Sequence, residues 1–118
     1  MYMILLILHD PDLLEEVLKE WQEAGVSGAT IVFSAGMSRF RQMEGMREDI
    51  PLMPSLDDFY EAPPTLSRTI FTIVKEESMI ERVHAATQRV VGDLTRPDTG
   101  ILIALPVLKC YGVEERKP

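Results

Sequence analysis

The residues of this sequence that could carry chemistry are dispersed rather than clustered. His9 lies beside Asp10, His84 has no second histidine at ligand spacing, and Cys110 is the only cysteine. A metal site or an acid–base catalyst needs such a partner, and no nucleophile elbow, P-loop or dinucleotide fingerprint is present. The sequence therefore predicts no catalytic residue, no metal ligand and a protein that is not an enzyme.

A short polar segment, residues 92–100, is better suited to binding. Small residues let backbone N–H groups approach an anion such as phosphate, and five of its members have suitable chemistry: Gly92, Asp93, Thr95, Thr99 and Gly100. Arg96 in the same segment, with Arg39 and Lys109 elsewhere, supplies positive charge. The segment is therefore chemically suitable for holding an anion.

A long central segment, residues 35–65, has no clean periodicity. Arg39 and Arg41 flank Phe40 near its start, where they can recognise a ligand or partner through charge-assisted hydrogen bonds or form incidental salt bridges. Its methionines suit an adaptable partner surface or pack the segment back onto the protein; they are Met37, Met43, Met46 and Met53. The predicted partner-binding residues are Met37, Phe40, Arg41, Gln42 and Met43.

Residues 56–61 of the same segment are acidic and aromatic. They can dock a basic surface or, with Asp49, bind a divalent cation through oxygen ligands. Because no EF-hand spacing is present, we favour a solvated turn with anchoring aromatic rings.

These residues are positioned by two strand–helix–strand halves, residues 1–33 and 66–107. Tyr2–Leu8 is an apolar run typical of a buried strand, and Asp10 with Pro11 predicts a helix start. One buried stripe is predicted on each helix: Leu14, Val17, Leu18 and Trp21 on the first, and Ile80, Val83, Thr87 and Val90 on the second. Gly25 and Gly92 are predicted helix ends, and Pro106 marks the end of the last strand or an edge position.

Two such halves, each with a helix between strands that can lie side by side, predict an α+β fold. The expected arrangement is ferredoxin-like, a four-stranded antiparallel sheet in the order βαββαβ along the chain, with both helices on one face. Strands with so few polar residues are not expected to face water on the other side. We therefore predict that copies of the chain associate through the second face of the sheet.

Composition limits the remaining possibilities. A chain of 118 residues predicts a single domain, residues 1–118. A net charge of −7 argues against nucleic acid as a partner. The first eight residues are too short to span a membrane and lack the features of a signal peptide, and one cysteine forms no intrachain disulfide. We expect a cytoplasmic protein with no membrane insertion.

The segment Gly-Val-Ser-Gly-Ala-Thr-Ile at residues 25–31 resembles the G-V-T-G-x-T-V stretch of the PII signal-transduction family of nitrogen regulation. It lies between the first helix and the second strand, as in that family, and the order of elements agrees over most of the chain. The resemblance implies a homotrimer that binds ATP, ADP or another effector in clefts between subunits. It also implies that residues 35–65 form a T-loop that contacts a target protein.

The resemblance also implies an effector site. Thr30 matches a threonine beside the adenine, Gly36 matches the glycine at the base of the T-loop, and Asp98 and Gly100 fall in the B-loop. With the residues chosen for their chemistry, the predicted effector-binding set is Thr30, Gly36, Ser38, Arg39, Thr95, Arg96, Asp98, Thr99 and Gly100.

The chain departs from the family pattern where phosphates bind. Residues 94–101 lack the lysine of the family's B-loop, and Tyr111 and Val113 align with its C-loop arginines. The effector is thus left open as an adenine nucleotide, a different nucleotide, another anion or none. An alternative is a structural or metal-binding trimer similar to the CutA family, which shares the architecture. An enzyme using Asp98 or Asp10 as acid or base is a third alternative.

Overall fold

A computed structural model describes residues 1–37 and 67–113. Its elements are the strand β1 (Tyr2–Leu8), a 3₁₀ turn (Pro11–Leu13), the helix α1 (Leu14–Ala24), the strands β2 (Thr30–Ser34) and β3 (Ser67–Val74), the helix α2 (Ser78–Val91) and the strand β4 (Gly100–Pro106). The predicted α+β class with four antiparallel strands and two helices is confirmed, and it is compatible with a ferredoxin-like arrangement.

The sheet has the order β2-β3-β1-β4, and every neighbouring pair is antiparallel. On the central strand β1, Leu6 lies opposite Ile70 of β3 and Leu102 of β4. The strands of one half are therefore not side by side as the sequence suggested, because β3 lies between β1 and β2. The helical crossover from β1 to the parallel strand β2 leaves room for that intervening strand.

The helix boundaries follow local chemistry. The carboxylate of Asp10 accepts a hydrogen bond from the backbone N–H of Asp12 at 3.0 Å, which confirms the predicted cap. Pro11 begins a 3₁₀ turn, and the α-helix itself begins three residues later at Leu14. Gly25 ends α1 with a φ of 111°, a left-handed conformation that favours glycine.

Both helices cover the same face of the sheet. The core combines residues of the two helices with those of the central strands: Val17, Trp21, Val83, Ala86, Ile4, Leu6, Leu8 and Ile70. The buried indole N–H of Trp21 donates to the hydroxyl of Thr87 at 2.8 Å, and that hydroxyl donates to the carbonyl of Val83 at 2.7 Å. Both predicted stripes face the core: Val17, Trp21, Val83 and Thr87 are buried, and the other four members are half-buried, namely Leu14, Leu18, Ile80 and Val90.

The opposite face of the sheet, called the open face below, is also apolar. Strand alternation and register place nine apolar side chains of the described strands there, beside the polar Thr30 and Thr69: Met3, Leu5, Ile7, Val32, Phe71, Ile73, Ile101, Ile103 and Leu105. Ile101, Ile103 and Leu105 are 50%, 37% and 47% exposed. Residues 1–37 and 67–113 therefore cover one face of this sheet and leave the other accessible.

Candidate functional site

The loop between α2 and β4 is organised by its own side chains. The carboxylate of Asp93 accepts hydrogen bonds from the backbone N–H of Thr95 at 2.9 Å and from its hydroxyl at 2.7 Å. The hydroxyl of Thr99 donates to the carbonyl of Arg96 at 2.9 Å. Asp98 has a φ of 64°, a conformation that Asp adopts more readily than most residues. These internal hydrogen bonds hold the backbone of the loop in a defined shape.

The same bonds fix a negative charge in the loop. The backbone N–H of Thr95, and then its hydroxyl, lower the pKa of Asp93 below its usual value because both stabilise the carboxylate. Asp93 is therefore ionised at neutral pH. The backbone N–H of Thr95, which was expected to be available to a phosphate, donates to this carboxylate instead, as does the Thr95 hydroxyl, so an anion would have to compete with Asp93.

Gly100 has a structural role that is independent of any ligand. Its φ is 147°, and a Cβ at this position would lie 2.6 Å from the backbone carbonyl oxygen of Ile7. Only glycine allows β4 to begin this close to β1. The effector role of Gly100 stays a prediction beside this structural one.

Thr30 lines a shallow groove of about 290 Å³. The groove is formed by the turn into β2, the middle of β3 and one residue of the C-terminal segment: Ser27, Gly28, Ala29, Thr30, Phe71, Thr72, Ile73 and Val113. The hydroxyl of Thr72 donates to the carbonyl of Gly28, which fixes the turn against β3. None of these lining residues is charged, so this groove suits a flat, uncharged part of a ligand.

The predicted effector residues lie at two separate edges of the sheet. Thr30 and Gly36 belong to the edge formed by β2, whereas residues 95–100 lead into β4 at the other edge. The two edges are three inter-strand spacings apart, or about 14 Å. One chain therefore does not bring the two groups together, and a shared site requires a second copy.

Gly36 and residues 95–100 nevertheless lie at the same end of the sheet, whereas Thr30 begins β2 opposite Phe71, four residues before that end. Ser34 ends β2 opposite Ser67, and Gly100 begins β4 opposite Leu8, which is itself paired with Arg68. The segment that follows Ser34 and the loop that precedes Gly100 thus leave the sheet at one end.

A second groove, of about 390 Å³, was not predicted from the sequence. It lies between α2 and β4, and its lining includes Ile80, His84, Leu94 and Leu102. Glu81 is also part of its lining, with a carboxylate oxygen 3.8 Å from Nδ1 of His84. The available signal was the spacing of Ile80 and His84, which places both on one side of a helix.

Several predicted residues fall outside the described parts of the chain. They are Ser38, Arg39, Phe40, Arg41, Gln42 and Met43, together with residues 56–61. Met37 is described and exposed, and Cys110 is a half-buried free thiol. Within residues 1–37 and 67–113, no group of three or more His, Cys, Asp or Glu side chains is placed to hold a metal ion.

No protein-family model matches this chain. No curated protein matches it either. Among the helices of the described residues, none is both long and apolar enough to cross a membrane.

Proposed function

We propose that the protein is a PII-like regulator that binds a small effector between copies of itself and contacts a target protein through residues 35–65. Its role is regulatory rather than catalytic, and it works in the cytoplasm. The observation that carries the proposal is the separation of the predicted effector residues between opposite edges of one sheet. A site divided in this way functions only when a neighbouring subunit supplies the missing half.

The open face supports self-association. A contiguous apolar surface on a small protein favours contact with another protein surface, and burying it contributes roughly 25 cal/mol for each Å² removed from water. A homotrimer, as the resemblance implies, covers this face on all copies by cyclic symmetry.

The strand directions at the two edges are compatible with such an assembly. β2 runs parallel to β1, and β4 runs antiparallel to it. The β2 strand of one copy can therefore pair antiparallel with the β4 strand of the next. The C-terminal end of β2 and the N-terminal end of β4 lie at the same end of the sheet. This pairing would therefore bring residues 35–37 of one copy beside residues 93–99 of its neighbour.

Assembly is tested by sedimentation equilibrium at micromolar concentration. We expect a trimer for the wild-type chain and a folded monomer for Ile103→Lys, which puts a charge into the open face. The matched control is Gln22→Lys, which adds the same charge on the exposed side of α1 and should remain trimeric. A wild-type monomer would contradict this part of the proposal.

Effector binding is tested by thermal unfolding and by hydrogen exchange of residues 35–65. Adenine nucleotides, cyclic nucleotides and 2-oxoacids are screened, and a true effector at 100 times its Kd stabilises the protein by about 2.7 kcal/mol. Thr30→Val should weaken binding roughly tenfold by removing a hydrogen-bonding hydroxyl, whereas Thr30→Ser should retain it. If no compound changes the melting temperature or the exchange, the sensing role is wrong.

Calorimetry with divalent metals separates this proposal from the CutA-like alternative. A regulator of the proposed kind binds its organic effector in metal-free buffer. Stoichiometric metal binding with no response to any organic effector would favour the alternative instead.

A further inference from the structure

The groove between α2 and β4 lies within a single chain, at a place where the helix layer does not close over the sheet. On the helix side of β4, the small residues Gly100 and Ala104 flank Leu102. Ala104 lies opposite the fully buried Ile4 of β1 but is itself exposed. The space of about 390 Å³ that remains falls within the range of about 300–1,000 Å³ that is typical of small-molecule sites.

The described lining of this groove is apolar except on one turn of α2. Ile80, Leu94 and Leu102 contribute apolar side chains, and Glu81 and His84 are its ionisable members. A carboxylate oxygen of Glu81 lies 3.8 Å from Nδ1 of His84, which is too long for a hydrogen bond. The carboxylate therefore keeps acceptor sites that a ligand can use.

The two arginines of α2 are directed toward α1 rather than toward the groove. The guanidinium of Arg82 lies beside Met79 and beside Gly25 at the end of α1. Arg89 donates to the carboxylate of Glu20 on α1 at 3.1 Å. Neither arginine compensates the charge of the groove's carboxylate.

The charged segments next to the groove do not reverse its sign. Residues 93–98 contain two carboxylates and one cation, and residues 75–77 are Lys-Glu-Glu. Lys109 belongs to the segment that leads from the end of β4 to Val113, and Val113 lines the other groove beside β3. Among residues 1–37 and 67–113, the surroundings of the α2–β4 groove therefore favour a cationic group over an anionic one.

We infer that this groove binds a small amphipathic monoamine, with its apolar body between α2 and β4 and its ammonium group beside Glu81 and His84. An ammonium group has three hydrogen-bond donors. It can donate to the carboxylate through a charge-assisted bond and to an unprotonated ring nitrogen of the histidine. The site is complete within one chain, so the inference is independent of self-association and of the proposed effector.

The test is a nuclear magnetic resonance titration of the full-length protein with hexylamine, hexan-1-ol and hexanoate. We expect the amine to shift the methyl signals of Ile80, Leu94 and Leu102. The Glu81 side chain is 84% exposed, so the amine should bind only about two- to fivefold more tightly than the alcohol. Hexanoate should bind most weakly. Octylamine should bind more tightly than hexylamine, by roughly fourfold for each methylene group that the groove buries.

A variant that fills the groove tests the position of the ligand. Ala104→Leu should lower the affinity for hexylamine about tenfold, the equivalent of roughly two buried methylene groups. The matched control is Ala85→Leu, which adds the same atoms at an exposed position of α2 outside the lining and should bind normally. Shifts confined to Ile103 and Leu105, with unchanged affinity in Ala104→Leu, would place the ligand on the open face and overturn the inference.

A second variant tests the charge without filling the groove. Glu81→Gln keeps the size of the side chain, and it should abolish the preference for the amine over the alcohol. Glu23→Gln removes an exposed carboxylate from α1 and should leave that preference unchanged. Hexanoate binding as tight as hexylamine binding, an unchanged preference in Glu81→Gln, or no binding of any amine would each contradict the inference. The proposed effector site would stand after any of these results, because it involves other residues.

Discussion

The two faces of the sheet have similar composition and very different surroundings. On the covered face, Ile4, Leu6, Leu8 and Ile70 have no exposed surface. On the open face, the apolar side chains of β4 keep between about a third and half of their surface accessible, as Ile103 at 37% and Ile101 at 50% show. The helices account for this difference, because both pack on a single side.

The two faces of the sheet have different roles: one stabilises the subunit, and the other is available for contact with another protein surface. The covered face stabilises the fold through packing between β1, β3 and the two helices. The open face contributes less to the stability of an isolated subunit, because its apolar side chains remain partly exposed. Burying them against another protein surface would release further free energy. A substitution on each face should therefore have a different type of effect, and neighbouring residues of β1 offer matched pairs.

The largest expected effect is that of Leu6→Ala compared with Leu5→Ala. Leu6 is fully buried, so its truncation should lower the free energy of unfolding by about 2–5 kcal/mol. Leu5 lies on the open face and is half-buried, so its truncation should cost roughly half of that or less at low protein concentration. Urea unfolding followed by circular dichroism measures both.

The same pair tests whether another copy covers the open face. The cost of Leu5→Ala should grow as protein concentration rises, because assembly couples to stability, and that of Leu6→Ala should be present at every concentration. Equal costs for both variants at high dilution would show that the two faces are equally packed within one subunit.

The next effect is expected at the first residue of β4. Gly100→Ala should lower stability by at least about 2 kcal/mol, because of its positive φ and the contact of the new Cβ with the carbonyl oxygen of Ile7. Gly28→Ala is the control, since its Cβ would meet no atom within 4 Å. Thermal unfolding of the two variants compares them, and a stable Gly100→Ala variant would argue against the close approach of β4 and β1.

A smaller effect is expected within the helix layer. Thr87→Val preserves the shape of the side chain but leaves the buried indole N–H of Trp21 without its acceptor. We expect a loss of about 1–2 kcal/mol in the free energy of unfolding. Thr87→Ser retains the hydroxyl and should recover part of the loss, whereas an equal loss in both variants would assign the effect to packing alone.

Local chemistry made most of the fold predictable from the sequence. The bounds of β1 coincide with the predicted run, Asp10 caps as expected, and Gly25 ends α1. These features depend on neighbours within a few residues. The fold class followed from the alternation of strand and helix patterns in the two halves of the chain.

The relative positions of elements that are distant in the sequence were harder to predict. The position of β3 between β1 and β2 depends on packing across the whole sheet, and the burial of Ala86 depends on how closely α1 approaches α2. For the candidate site, the sequence indicated which residues of the 92–100 loop are chemically suitable for holding an anion. It did not indicate that Asp93 itself takes the donors of Thr95, because several polar neighbours compete within this loop.

The groove beside His84 illustrates the same limit. The histidine had no second histidine or cysteine at ligand spacing along the chain, so no site could be assigned to it from the sequence. Its neighbours Leu94 and Leu102 come from the following loop and strand, and only the folded arrangement brings them to the helix.

The bond between Trp21 and Thr87 also has a practical consequence. Trp21 is the only tryptophan of the chain, and its ring is 1% exposed. Its fluorescence emission therefore reports the docking of the two helices without an added dye. Separation of the helices should shift that emission to the red, whereas occupation of the distant sheet edges should leave its wavelength unchanged, so a single cuvette can distinguish unfolding from ligation.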